Sequence, residues 1–208
     1  RKFMLVPGSG INIKYFSKIK YPKNKKINYL LIARNIKEKG IFEFARVAKE
    51  LSKKIANIKF TYVGYIENNQ KNFINKSFFL NLQKKRIISF YEHTTNIRKF
   101  LKTAHCVVIP TYREGTPKSI LEDFAVGRPA IITKVIGTKQ LIKEAHNGFY
   151  CKEKSASSLK DKILKFQKLP HTTKANMGNN ARDIILKNYD EKYLILKYLD
   201  ALKIILVK

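Results

Sequence analysis

A chain of 208 residues with 44% hydrophobic and 12% aromatic residues can fill one large core, which excludes global disorder. No stretch approaches the roughly 18–20 apolar residues of a membrane span, and the first residues do not read as a secretory leader. The net charge of +28 attracts polyanions such as nucleic acid, anionic lipid or phosphorylated substrates, yet the lysines are scattered in short runs such as KNKK and QKKR, as an ordinary solvated surface also has them.

The opening FMLV (3–6) reads as a strand entered partway, as in a piece cut from a longer protein, and the loop PGSGIN follows it. YFSKIKYPKNKK (15–26) reads as a polar, basic connector. NYLLIA (28–33) is an apolar run of strand length, and GIFEFARVAKELSKKI (40–55) spaces Ile41, Phe44, Val47, Ala48 and Leu51 along one helical face. The alternation continues with a strand at 58–64, a helix at 72–82, a strand at 86–91 and a helix at 96–104. A strand at 105–110, a helix at 116–127, a strand at 129–133, a helix starting at 137–142 and a strand at 148–151 complete it. Strands buried on both faces alternating with helices predict an α/β fold: one Rossmann-like, three-layer α/β/α domain over residues 1–208, with a parallel sheet. From residue 155 onward the chain reads as helical. The closing helix carries Tyr193, Leu194, Leu196, Tyr198, Leu199 and Leu202, more apolar surface than one buried face requires. Cys106 and Cys151 read as buried thiols of a reducing compartment, and neither they nor the four histidines show metal-ligand spacing, so no metal site is expected.

The chemistry concentrates in REGTPKSILEDFAVGRP (113–129). In open parallel sheets, ligands bind beyond the carboxyl ends of the strands, and this segment leaves such an end. Thr116 as N-cap and Pro117 as first helical residue would leave the amides of Lys118 and Ser119 free at the positive end of the helix dipole, a site for phosphate or diphosphate. Glu114 lies too far ahead of the helix to cap it, and Glu122 lies in its second turn. Carboxylates bordering a phosphate site repel the anion unless they face something else, and a sugar or ribose diol is the natural partner. Arg34 and Lys39, in IARNIKEKG, can reach the same cleft, although Lys39 taken alone reads as solvated charge.

Together PGSGIN, ARNIKEKG and VVIPTYREGTPKSILEDFAVGRPAII resemble the C-terminal, donor-binding domain of the family 4 retaining glycosyltransferases, of the kind that builds bacterial O-antigen, capsule or lipid-linked oligosaccharide. The resemblance runs over essentially the whole chain. It implies one half of a GT-B fold, with residues 190–208 forming a helix that packs toward an N-terminal domain absent from this sequence. It implies that Arg34 and Lys39 bind the donor diphosphate, Glu114 lies by the donor sugar and Glu122 holds the ribose hydroxyls. Gly115, Thr116, Pro117, Lys118 and Ser119 would face the diphosphate, with Gly8 of PGSGIN nearby. Tyr91, His93 and Thr94 would lie against the base, in a loop where Glu92 stands in place of the family's frequent glycine. ARN, where the family commonly has Gly-Arg, is a milder departure.

The activity so implied is transfer of a hexose or N-acetylhexosamine from a UDP-linked donor to a polyprenyl-diphosphate-linked saccharide. It needs no cofactor or metal, and it takes place on the cytoplasmic side of the bacterial plasma membrane, at whose anionic surface the +28 charge would help. This chain alone would bind donor weakly and catalyse nothing. A sugar-nucleotide epimerase of the same fold and a basic nucleic-acid-binding domain are the alternatives, and no GXXG loop, aromatic RNA-binding signature or helix-turn-helix pattern supports the latter. A glycosidase would use Glu114 and Glu122 as acid and base, against which stands the phosphate-type helix start between them.

Overall fold

Residues 10–65 and 72–206 are described in the structure, a computed structural model; FMLV and Gly8 lie outside them. Strand β1 (Ile27–Arg34) is buried over its first five residues. Its Tyr29 and Leu31 pack into one apolar cluster and Leu30 into another, as expected for a strand covered on both faces. With β2 (Ile58–Tyr65), β3 (Ser89–Glu92), β4 (Cys106–Ile109), β5 (Ala130–Thr133) and β6 (Gly148–Cys151) it forms a sheet of order β3-β2-β1-β4-β5-β6. Every pairing is parallel. β1 and β2 pair residue for residue from Ile27–Ile58 to Arg34–Tyr65, so both strands end level.

Helices α1 (Ile41–Lys54), α2 (Lys76–Lys84) and α5 (Ala156–Lys168) cover one face through Phe44, Leu51, Phe79, Ile163 and Phe166. Helices α3 (Arg98–Thr103), α4 (Lys118–Ala125) and α6 (His171–Asn188) cover the other through Leu101, Ile120, Phe124, Ala181 and Ile185. Each of the Leu, Ile and Phe side chains among these contributes roughly 1.5–3 kcal/mol when fully buried. The expected three-layer α/β/α architecture with a helical C-terminus is therefore present.

Several boundaries differ from the sequence reading for identifiable reasons. α2 begins at Lys76 because Asn75 caps it, accepting from the Ser77 amide at 2.9 Å. Residues 72–74 instead tie back to the loop after β1, with Ile74 N donating to Asn35 O at 3.0 Å. β3 starts only at Ser89 because Arg86 takes a left-handed φ of 56° as the chain leaves α2. The helix expected from 137 is a single 3-10 turn, Ile136–Thr138. There Thr138 Oγ1 accepts from Val135 N at 3.1 Å and donates to Thr133 O at 2.6 Å, a local bonding pattern that competes with a helical ladder.

The basic connector is not loose. Arg128, fully buried, points its guanidinium at the carbonyls of Leu101 (2.8 Å), Ile19 (3.1 Å), Lys20 (3.1 Å) and Gly127 (3.1 Å). Tyr21 adds a hydrogen bond to His105 O at 2.7 Å. Helix α7 (Glu191–Leu206) is the opposite case. It is anchored by Leu194 and by Glu191 N donating to Ile11 O, while Tyr193, Ile195, Leu196, Tyr198, Leu199 and Leu202 are each about half exposed. Among the described residues, no helix is long and apolar enough to cross a membrane.

Asp123, on α4, is 2% exposed, and its Oδ1 has no hydrogen-bond partner among the described residues. Burial, reinforced by the neighbouring Glu122, pushes its carboxyl well above the usual range. An Asp that keeps its proton when folded but loses it near pH 4 when unfolded stabilises the fold in acid. That stabilisation is lost as pH rises toward the folded-state value. Asp123→Asn should therefore melt higher than the wild type at pH 8, with the gap closing toward pH 5; thermal unfolding across that range checks it.

Candidate functional site

A cleft of about 400 Å³ opens above the carboxyl ends of β1, β2 and β4. Its floor is apolar (Leu31, Val63, Ile109), and its rim carries Arg34, Lys39, His93, Thr94, Glu114, Lys118, Ser119 and Glu122. β1 and β4 are neighbours in the sheet while α1 and α4 lie on opposite faces, so the loops leaving the two strands diverge and leave this crevice. A second hollow of about 660 Å³ shares His93, Thr94, Lys118 and Glu122 and extends it toward Asn12 and Tyr15.

Lys39 Nζ lies 2.8 and 2.7 Å from the two carboxylate oxygens of Glu114, and the side chains are only 16% and 17% exposed. Desolvation offsets much of the attraction in so sheltered a pair, so its main consequence is geometric: it fixes two charges of opposite sign at one point of the rim. Arg34, the last residue of β1, is exposed and has no ion-pair partner among the described residues.

The loops carrying this pair are braced together. Tyr112 N donates to Glu38 O at 2.8 Å, and Thr111 Oγ1 lies 3.1 Å from the same carbonyl. Gly40, at φ 70°, lets the backbone pass Pro110 so closely that a Cβ would sit 2.0 Å from its carbonyl oxygen. From the other side Thr133 Oγ1 donates to Thr111 O, and Gly137 lies against the Glu114–Gly115 backbone.

Helix α4 starts one residue later than Thr116–Pro117 capping would have it. Pro117 itself is the N-cap, with φ −70° and an extended ψ of 121°, and Lys118 is the first helical residue. The Pro117 carbonyl receives Ile120 N at 3.1 Å. The amides of Lys118 and Ser119 have no acceptor among the described residues, and both residues line the cleft, so the anion-binding end of the helix faces it. Glu122, half-buried one turn further on, has its carboxyl raised by burial, partly offset by the Lys118 charge.

Of the residues the sequence pointed to, the cleft gathers eight on its rim. Gly115, Thr116 and Pro117 lie in the approach to α4, outside the lining. Tyr91 stands on the edge strand with its ring 4.9 Å from Phe100, beside a separate groove with Lys59 and Arg86. Sequence reasoning missed the Thr111–Thr133–Thr138 bracing and Gly137. Strand-end threonines look like ordinary β-branched residues, and their hydroxyl partners are set only by the sheet order. Both cysteines are buried, with the Cys151 thiol pushed up to about 12 by burial. Among the described residues no group of three or more His, Cys, Asp or Glu side chains is placed to hold a metal ion.

Residues 14–184 match the family model described as Glycosyl transferases group 1. The N,N'-diacetylbacillosaminyl-diphospho-undecaprenol alpha-1,3-N-acetylgalactosaminyltransferase of Campylobacter jejuni is 29% identical over 217 residues, covering 95% of this chain and 53% of that protein. A glycosyltransferase from Rickettsia africae superposes with a TM-score of 0.82 at 21% identity, over 97% of this chain and 57% of that one. Alr3699/HepE of Anabaena, solved in complex with UDP, gives 0.79 at 15% identity, over 93% and 56%. The chain spans about half the length of the curated relatives it matches.

The bracing makes a paired prediction. A Cβ on Gly137 would sit 1.8 Å from Gly115 O, whereas one on Gly115 would meet nothing within 4 Å. In urea unfolding, Gly137→Ala should cost about 1–3 kcal/mol, and Gly115→Ala should stay within about 0.5 kcal/mol.

Proposed function

Since the chain belongs to the group 1 glycosyltransferases, we propose that it is the donor-binding half of a retaining enzyme that takes a hexose or N-acetylhexosamine from a UDP-sugar and adds it to a lipid-linked saccharide in bacterial surface-polysaccharide synthesis. The observation that carries this reading is the cleft at the β1/β4 switch, where three cations, two free helix amides and two carboxylates meet over an apolar floor. The name of the Campylobacter relative supports an acetylated amino sugar and a lipid-diphosphate acceptor, and the Anabaena complex supports UDP.

The hard step is heterolysis of the anomeric C–O bond, whose electrons leave with the diphosphate. Lys39, held by Glu114, and the amides of Lys118 and Ser119, held at the start of α4, are in place before reaction, so they stabilise that charge without reorganising, and the exposed Arg34 adds its charge from the end of β1. With the charge met in this way, transfer needs no metal. Glu114 borders the sugar hydroxyls, and Glu122 accepts from the ribose diol. The acceptor hydroxyl attacks from the face the diphosphate leaves and passes its proton to the departing diphosphate oxygen, giving retention. The acceptor is held by the other half of the enzyme, toward which the apolar surface of α7 packs. The chain's +28 charge favours the anionic cytoplasmic leaflet.

Calorimetry with UDP, GDP and ADP tests the donor assignment. UDP should bind in preference to the other two, and Glu122→Ala should weaken it at least tenfold; equal binding of all three, or no effect of the substitution, contradicts it. pH adds a second check. The ionised carboxylate accepts from the diol, and its raised value means that it protonates early on acidification. UDP affinity should therefore fall from pH 7 to 5 more steeply in the wild type than in Glu122→Gln.

A further inference from the structure

Tyr112 lies two residues before Glu114 and is gripped from three directions. Its hydroxyl donates to Glu43 Oε1 on α1 at 2.7 Å. Its amide donates to Glu38 O, in the residue before Lys39, at 2.8 Å. Lys154, from the β6–α5 loop, places its Nζ over the ring, 5.4 Å from the centroid. Burial, then the hydrogen bond and charge of Glu43 and the charge of Glu38, raise the phenol well above its usual range, so it remains a donor throughout the working pH. Glu43 Oε2 is buried without a partner, so the tyrosine supplies that carboxylate's one hydrogen bond among the described residues.

We propose that Tyr112 and Glu43 are positioning residues for the transfer: their hydrogen bond ties the Glu114 loop to the helix that follows Lys39, and thereby sets the Lys39–Glu114 pair against the diphosphate and sugar of the donor. The inference rests on the donor reading of the cleft. Tyr112 makes two of the bonds that link these segments, beside the Thr111 Oγ1–Glu38 O contact and the Lys39–Glu114 pair. The Tyr112–Glu38 backbone bond fixes how close the loops come, and the Tyr112–Glu43 side-chain bond fixes the tilt of the outer loop about it. Thr133 and Gly137 hold the inner side of the loop, so without the second bond it is the outer side, at Tyr112, that loosens, and the Glu114 side chain shifts relative to Lys39. Glu122 and the α4 amides stand on a different element and should not follow. Neither Tyr112 nor Glu43 lines the cleft, so neither touches the donor.

The test uses Tyr112→Phe, Glu43→Leu and Glu43→Gln, the last of which keeps an oxygen that accepts from the phenol. Amide hydrogen exchange across residues 111–116, which needs no ligand, should speed up at least tenfold in Tyr112→Phe and Glu43→Leu. It should stay within twofold of the wild type in Glu43→Gln. Binding is then compared for UMP, which lacks the β-phosphate and sugar, and for UDP-N-acetylgalactosamine. The first two variants should lose about tenfold for the UDP-sugar and no more than twofold for UMP, and Glu43→Gln should keep both. Unchanged exchange in Tyr112→Phe overturns the proposal, as does equal loss for UMP and UDP-sugar, the mark of general destabilisation. If exchange responds as expected but the wild type binds no UDP-sugar, the tether stands as a structural brace while the donor reading and the positioning role fail together.

Discussion

Strands β1 and β4 lie side by side, yet the chain leaves them toward opposite faces of the sheet, and the rest of the site follows from that divergence. Loops that part in this way leave a crevice that neither fills, and the crevice must be lined by whatever residues end the two strands. Here those residues are charged. Arg34 ends β1, Lys39 closes the turn after it, and Glu114 stands in the loop after β4. A crevice lined by opposite charges would close on itself without support from behind. The support is a set of backbone contacts: Tyr112 to Glu38, Gly40 against Pro110, and Gly137 against Gly115. Two of the three require glycine for steric reasons alone.

The charge arrangement separates two tasks. Lys39 is paired with Glu114 and so stands between an anion and a hydroxyl group, whereas Arg34 and the α4 amides are not matched by any acid among the described residues. The cleft therefore offers net attraction to an anion at one end and a compensated, hydroxyl-seeking carboxylate at the other. A nucleotide diphosphate joined to a sugar has that polarity. The chain's general excess of lysine does not produce this pattern, because the lysines are scattered over the surface while the cleft has specific partners at specific distances. The buried carboxyl of Asp123, one residue past Glu122, raises a separate point. It takes no part in lining the cleft, has no hydrogen bond on Oδ1 among the described residues, and stands as a stability cost within the helix that presents the site.

Much of this was legible in the residues themselves. The strand and helix alternation gave the layers, because strands buried on both faces admit few other architectures. The rim cations and both glutamates could be located from the turn chemistry around Gly40 and Pro117. What could not be read was anything depending on sheet order. The Thr133–Thr111 bond joins residues 22 apart, and Tyr112–Glu43 joins residues 69 apart. Neither pair has a local signature. The 137–142 segment shows the other limit, since Gly137 and Thr138 answer to a tertiary contact and a local side-chain bond where periodicity suggested a helix.

The central claim is that a donor diphosphate sits on the free amides that open α4, between Arg34 and Lys39. Amide-resolved NMR of this chain during a UDP titration tests it most directly. The account predicts that Lys118 and Ser119 show the largest amide shifts, with Glu122 and Thr94 next and the edge groove at Lys59 and Arg86 unmoved. Largest shifts in that groove, or shifts that spread over the lysine-rich surface and vanish in moderate salt, would contradict it.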